Sequence, residues 1–315
     1  MTEQEQKVSH LRSFVRDKSL DLFENIAELG YKIKVENEEN LRVLNQHQNL
    51  PTVLYFNHMS KDDPFLTIYL VKRYAQDRLK NVIMPVSEKY AYLHNYPKYA
   101  ASVFLGKAAA GFSMPGFVQS YRLRTHGGDN ESSDKLKHKA SALGRRFIRQ
   151  LDAELPGGPL IILSPEGHIS SDGQLLPSED GAGFIVKKLA KLRGSGLIED
   201  GLIMPIGFVF SPYKGRRFHY NPFKSTELKY IVGEPISVDE AIKGARELTR
   251  GVLSQERSNS QSISNFLMWK LSKLLPVNMR GVYADSKLND TLMGRFELRM
   301  LDKSDRKAGV YDTWE

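Results

Sequence analysis

Three short runs in which nearly every residue is apolar, at 52–56, 159–163 and 202–210, restrict the folds open to this chain. A strand with one wet face alternates polar and apolar residues, whereas a strand covered on both faces does not need to. Helical patterns stand between the runs, so the chain alternates strand and helix, the order of an α/β domain. Residues 31–35, Tyr-Lys-Ile-Lys-Val, alternate as a half-exposed strand, and 81–86 and 228–232 read as further strands. Helices are expected over 4–29, 38–47, from Pro64 onward, and over 134–153, 182–193 and 238–275. In the first, Leu11, Phe14, Val15, Leu22, Phe23 and Ile26 recur at helical spacing before Gly30. Residues 88–122 resist this reading, because Tyr90, Tyr92, Tyr96, Tyr99, Phe104, Phe112 and Phe117 crowd a stretch rich in glycine, alanine and proline. The expectation is a single α/β domain, its mostly parallel mixed sheet covered by helices on both faces. An amphipathic helical segment at 1–30 precedes the body at 31–283, which ends in helices, and a polar tail occupies 284–315.

The motif with the most chemistry follows the first apolar run: Asn57-His58-Met59-Ser60-Lys61-Asp62-Asp63-Pro64. Asp63 before Pro64 reads as a helix N-cap with a first-turn proline. His58 then sits at the mouth of a strand-to-helix turn, and Asp63 is able to fold back onto its ring. A neutral imidazole takes protons near neutral pH, and a carboxylate on its other nitrogen fixes the tautomer and stabilises the imidazolium. The plainer alternative is that Asp63 only caps the helix and His58 only closes the turn. A metal site is the third: His58, Asp62 and Asp63 offer three ligands on one short loop, without the paired-histidine helix of metal hydrolases, and none is expected.

Further features fall at predicted strand ends, where open α/β sheets place their sites. Gly116 precedes Arg122 by six residues, and that guanidinium is a ready phosphate donor. Pro165-Glu166-Gly167 follows the 159–163 strand, and Pro205 interrupts the 202–210 run.

These four blocks, in this order, resemble the glycerophospholipid acyltransferase family, which includes glycerol-3-phosphate and lysophosphatidate acyltransferases. Asn57, His58 and Asp63 match its Asn-His-x4-Asp; Gly116 and Arg122 match Gly-x5-Arg; Pro165, Glu166, Gly167 and Ser170 match its Pro-Glu-Gly block; Met204-Pro205-Ile206 matches the fourth. Gly233-Glu234-Pro235-Ile236 matches a frequent element after it, and 275–283 is similar to the ending of bacterial members. The resemblance covers about 31–283. It implies transfer of a fatty acyl group from acyl-CoA or acyl-carrier protein to a hydroxyl of a glycerophosphate or lysophospholipid, with no cofactor. It makes His58 the general base and Asp63 its orienting partner, both catalytic. Asn57, Gly116, Arg122, Glu166, Gly167 and Pro205 would bind substrate. No acyl-enzyme is expected, since there is no cysteine and Gly111-Phe112-Ser113-Met114-Pro115 lacks the second glycine of a serine elbow. Two departures bear on the acceptor: His168-Ile169 stands where the family carries Thr-Arg, and Ser178-Glu179-Asp180 brings two acids where a base is common. Either His168, Lys187 or Lys188 supplies the missing charge, or the acceptor is less anionic, a lysoglycolipid or an amine.

Formal net charge is +8, which favours anionic partners. Lys135, Lys137, Lys139, Arg145, Arg146 and Arg149 share one acid-free stretch, either a solvated helix face or an anionic contact. A basic nucleic-acid-binding protein is the alternative from another class, but no recognisable nucleic-acid motif carries the charge. No run approaches the length of a spanning helix. The polar start Met1-Thr2-Glu3-Gln4-Glu5-Gln6 is unlike a secretory signal, and zero cysteines fit a cytoplasmic protein. The expected location is the cytoplasm, peripherally on the inner face of an anionic membrane, with 90–117 and helix 262–275 as candidate interfacial segments.

Overall fold

The computed structural model describes residues 3–87, 110–117, 131–215, 219, 223, 226–248 and 259–284. Helix α1 (Glu3–Gly30) runs directly into strand β1 (Tyr31–Glu36), followed by α2 (Glu39–Gln46), β2 (Thr52–Phe56) and α3 (Asp63–Ala75). Then come β3 (Val82–Ile83), β4 (Val86–Ser87), β5 (Gly116–Phe117), α4 (Glu131–Glu154), β6 (Leu160–Leu163) and α5 (Gly181–Gly194). Strands β7 (Leu202–Ser211), β8 (Thr226–Val232) and β9 (Ile236–Ser237), with helices α6 (Val238–Leu248) and α7 (Asn259–Leu274), complete the elements.

The main sheet has seven strands in the order β1-β8-β7-β2-β6-β3, with β9 also paired to β7. Strand β2 lies at its centre, parallel to both β6 and β7. The β7–β8 and β7–β9 pairings are antiparallel, so the sheet is mixed and mostly parallel. The three apolar runs are β2, β6 and β7, and their lack of alternation has the expected cause. Val53, Tyr55, Ile161 and Ile203 face one buried cluster with α5, α6 and α7; Leu54, Phe56, Leu160, Ile162, Met204 and Ile206 face the other, with α1, α2 and α3.

Pro205 is accommodated in the sheet interior by a change of neighbour. Strand β7 pairs with β9 at Leu202 and Ile203 and with β8 only from Ile206 on. Pro205 falls in the gap, where a missing amide breaks no ladder rung, and its carbonyl accepts from the amide of Gly233 at 2.9 Å.

The expected strand at 81–86 is two pieces in different sheets. Val82 and Ile83 pair with β6, whereas Val86 and Ser87 pair with β5 in a separate two-stranded sheet. Met84 and Pro85 carry the chain across, and Pro85 has no amide with which to continue the first ladder. The N-terminal segment is part of the body: Leu20, Phe23 and Ala27 are buried in the core, and Lys72 of α3 meets Asp21 and Glu24 of α1 at 2.7 and 2.5 Å. Helix 262–275 is likewise a core helix, because Ile263, Phe266, Leu267, Leu271 and Leu275 are buried against α5, α6 and the sheet. Its apolar face is therefore taken, and the interfacial reading of that segment fails. Of the aromatic stretch 90–117, Phe112 is buried in the core, and residues 88–109 lie outside the described residues, as does the polar tail from 285. Among the described residues, no helix is long and apolar enough to cross a membrane.

Candidate active site

Strands β2 and β6 are parallel neighbours, so the loops that leave their C-terminal ends emerge side by side. One carries Asn57 and His58 and the other Glu166 and Gly167. The first loop is short because α3 begins at Asp63. The cap position belongs to Asp62, whose side chain makes no cap hydrogen bond, and Asp63 is the first helical residue. This differs by one place from the sequence expectation. Asp63 instead turns its carboxylate back over the loop.

Oδ2 of Asp63 collects three contacts: Nδ1 of His58 at 2.9 Å, the amide of Met59 at 2.6 Å and the amide of Ser60 at 2.8 Å. Oδ1 is buried with no hydrogen-bond partner among the described residues. Asp63 is fully buried, whereas the His58 side chain is 22% exposed, so the pair runs from the interior to an accessible ring. Burial raises the Asp63 carboxyl above its ordinary range, against the lowering by His58 and the two amides. The His58 and Phe56 rings also meet edge-to-face, with centroids 6.2 Å apart and planes at 88°. With Nδ1 committed to Asp63, Nε2 is the nitrogen that can exchange a proton with an incoming group.

Asn57 is held as a side-chain imitation of a peptide unit. Its Nδ2 donates to the Phe208 carbonyl at 2.9 Å, and its Oδ1 accepts from the Phe208 amide at 2.7 Å. It thereby extends the β2–β7 pairing one step beyond Phe56 and fixes the exit direction of the chain. Glu166 is a strut. Oε1 accepts from the His58 amide and Oε2 from the Leu176 amide, both at 2.7 Å. Its carboxyl is 1% exposed and pushed up to about 8, chiefly by burial. Both oxygens are thus engaged by backbone, and Glu166 reaches an acceptor only through the loop it braces. Gly167 has φ +70°, a conformation that favours glycine, and a Cβ there would lie 3.1 Å from Glu179. The His58 carbonyl accepts from the Ser170 amide at 2.8 Å, which ties the two loops together again.

Two other expected site residues lie within strands. Gly116 lies in β5, opposite Val86 in the small sheet. Pro205 lies in β7 opposite Tyr55, in the sheet interior. Arg122 is outside the described residues. Of the cations proposed to replace the family's arginine, Lys188 is bound to Asp152 of α4 at 2.5 Å, Lys187 is exposed and His168 is half-buried. Lys139, Arg145, Arg146 and Arg149 are exposed on α4.

Asp62 faces away from the dyad. Tyr31 donates to its Oδ2 at 2.6 Å, Ser60 at 3.2 Å and the His219 amide at 2.5 Å. Burial raises its carboxyl. The two neighbouring acids therefore do not converge on one ion, and no group of three or more metal-binding side chains occurs among the described residues. Tyr213 donates to the carbonyls of Met59 and Ser170, at 3.2 and 2.7 Å. The C-terminal segment props the second loop: Leu175 donates to the Met279 carbonyl at 2.8 Å, and the Ser178 amide donates to the hydroxyl of Tyr283 at 3.0 Å. Tyr213 and His219 escaped the sequence reading, and Tyr31 and Tyr283 entered it only within the 31–35 strand and the 275–283 ending, since a lone polar aromatic carries no spacing signal.

The arrangement is a partly exposed imidazole on a buried carboxylate, set on two loops that the sheet brings together. It suits removal of a proton from a hydroxyl or amine. Neither a protein-family model nor a curated protein matches this chain by sequence comparison.

Proposed function

We propose that this protein is an acyltransferase, moving a fatty acyl group from acyl-CoA or acyl-carrier protein to a hydroxyl of a glycerophosphate or lysophospholipid. One observation carries the reading: the 2.9 Å contact between His58 Nδ1 and a fully buried Asp63, in the His-x4-Asp spacing of that resemblance. The acceptor hydroxyl gives its proton to Nε2 of His58 as its oxygen attacks the thioester carbonyl. The tetrahedral intermediate collapses, the carbon–sulfur bond breaks, and the proton passes to the departing thiolate. Asp63 holds the ring and stabilises the imidazolium between the two steps. Arg122 serves as the acceptor's phosphate ligand in this reading.

The net charge of +8 supports peripheral association with an anionic membrane, where such acceptors reside. A less anionic acceptor, a lysoglycolipid or an amine, is favoured by one specific feature: Glu179 and Asp180 adjoin the loop and Lys188 is neutralised by Asp152. Thiol release from labelled acyl-CoA and acyl-carrier protein, against a panel of phosphorylated and neutral acceptors, tests both readings. Absence of acceptor-dependent release across the panel counts against the enzyme.

A further inference from the structure

Helix α1 has two apolar faces. Leu20, Phe23 and Ala27 are buried in the core. Roughly a third of a turn away, Leu11, Phe14, Val15, Leu22, Ile26 and Leu29 are open to solvent, Leu11 at 64% and Phe14 at 60%. These are six of the ten exposed large hydrophobics among the described residues, so the exposure is concentrated on one helix. At about 3.6 residues per turn, Leu11, Val15, Leu22, Ile26 and Leu29 fall within about 60° of one line, with Phe14 at its margin, and the stripe is about 27 Å long. A patch of this kind, divided at mid-length by Lys18, whose ammonium lies over Phe14, marks an interaction surface.

We propose that this stripe pairs with its own copy, α1 against α1 in antiparallel register, to form a twofold-symmetric dimer. A twofold axis beside residue 20 sets Leu11 against Leu29, Phe14 against Ile26 and Lys18 against Leu22 of the second copy. Four of the six apolar positions thus meet one another when the stripe is reversed, while Val15 meets Asn25 and Leu22 meets Lys18, and each contact recurs across the axis as an isologous interface requires. The charges agree. Beside the stripe, exposed Lys18 lies in the N-terminal half and Asp21 and Glu28 in the C-terminal half, whereas Arg16 is paired with Asp17 and Glu24 with Lys72. Antiparallel packing lays the basic half on the acidic half, and parallel packing lays like on like. Asp21 and Glu28 remain about half exposed, at 46% and 49%, despite their contacts to Lys72 and Arg73.

The area suffices. The six exposures amount to about three fully exposed large side chains, or roughly 500–600 Å² of apolar surface per copy, so the pair, fully covered, reaches the ~1,000 Å² of a specific interface. An anionic bilayer is the poorer occupant, because interfacial helices carry a basic polar face and the C-terminal half of this one is acidic.

The test uses the whole chain, whose lack of cysteine makes single cysteines unambiguous probes. Sedimentation equilibrium should give twice the single-chain mass at high concentration. The combined Leu22→Glu and Ile26→Glu variant should give the single-chain mass, with unchanged circular dichroism. Under mild oxidation, a mixture of Leu11→Cys and Leu29→Cys proteins should cross-link, and Leu11→Cys alone should not. A single-chain mass at every concentration overturns the proposal. So does cross-linking of Leu11→Cys to itself, or a dimer that survives the double variant. A monomer that floats with phosphatidylcholine vesicles, and loses that property with Leu22→Glu, identifies lipid as the occupant and overturns it as well. Should the double variant misfold, the cysteine mixture decides alone.

Discussion

The amide of His58 donates to Oε1 of Glu166 at 2.7 Å, across 108 residues of sequence, while the other carboxyl oxygen holds the amide of Leu176. One buried side chain therefore spans the His58 loop and the loop after β6. The consequence is a stability that depends on pH. Glu166 in the folded chain keeps its proton to about pH 8, against an ordinary value of 4.5. Between those values the folded state binds more protons than the unfolded one, so stability falls as pH rises. Asp62 and Asp63 are raised as well, and they add the same slope at its lower end. Urea unfolding across pH 4.5 to 8 should show a decline on the order of a few kcal/mol. Glu166→Gln should flatten it, and an unchanged slope in that variant would show that the titrating group lies elsewhere.

His58→Ala should lower thiol release by about 10²–10⁴, the usual contribution of a positioned general base. Its ring is partly exposed and its backbone amide is retained, so the urea midpoint should stay near the parental one. Loss of activity with a large loss of stability would make His58 a structural residue only.

Asp63→Asn keeps the shape but removes the charge that stabilises the imidazolium. An amide side chain also has one acceptor oxygen where Asp63 uses Oδ2 for three donors. Turnover should fall by roughly 10²–10⁴ with little change in the acceptor KM. The opposite split, KM raised and kcat kept, would assign Asp63 to binding.

Gly281 has φ +52°, and a Cβ there would lie 2.1 Å from the carbonyl oxygen of Leu175. Gly281→Ala should destabilise by about 2 kcal/mol or more, from the unfavourable backbone region and the clash together. Because this segment props the Glu166 loop through Met279 and Tyr283, thiol release should decline too. Differential scanning calorimetry with a parallel assay checks both, and an unaltered melting temperature would show that the segment yields freely.

The architecture was legible where burial writes itself into composition. The runs at 52–56, 159–163 and 202–210 are strands covered on both faces, and the alternating 31–35 lies at the sheet edge. Legibility ended where tertiary pairing decides. Val82–Ile83 and Val86–Ser87 share one apolar stretch yet join different sheets, because their partners, Leu160–Ile161 and Gly116–Phe117, are distant in sequence. Helix 262–275 mixes tryptophan, lysine and leucine as an interfacial helix does, and only its position over the sheet reveals it as core. At the site, His58 and Asp63 were readable because only four residues separate them. The supports from Tyr31, Tyr213, His219 and Tyr283 come from other elements and leave no local trace. Glu166 was found by motif, but its use as a brace depends on two amides that no sequence pattern names.

Strands β2 and β6 lie in register, Tyr55 opposite Leu163, and each loop leaves within three residues of that rung. A slip of one position would exchange the faces of β2 and move His58 out of reach of Glu166 while leaving a respectable sheet. Under the proposed function, turnover is a report on alignment, and a chain that has collapsed with these strands one step out of phase would look folded and be inert.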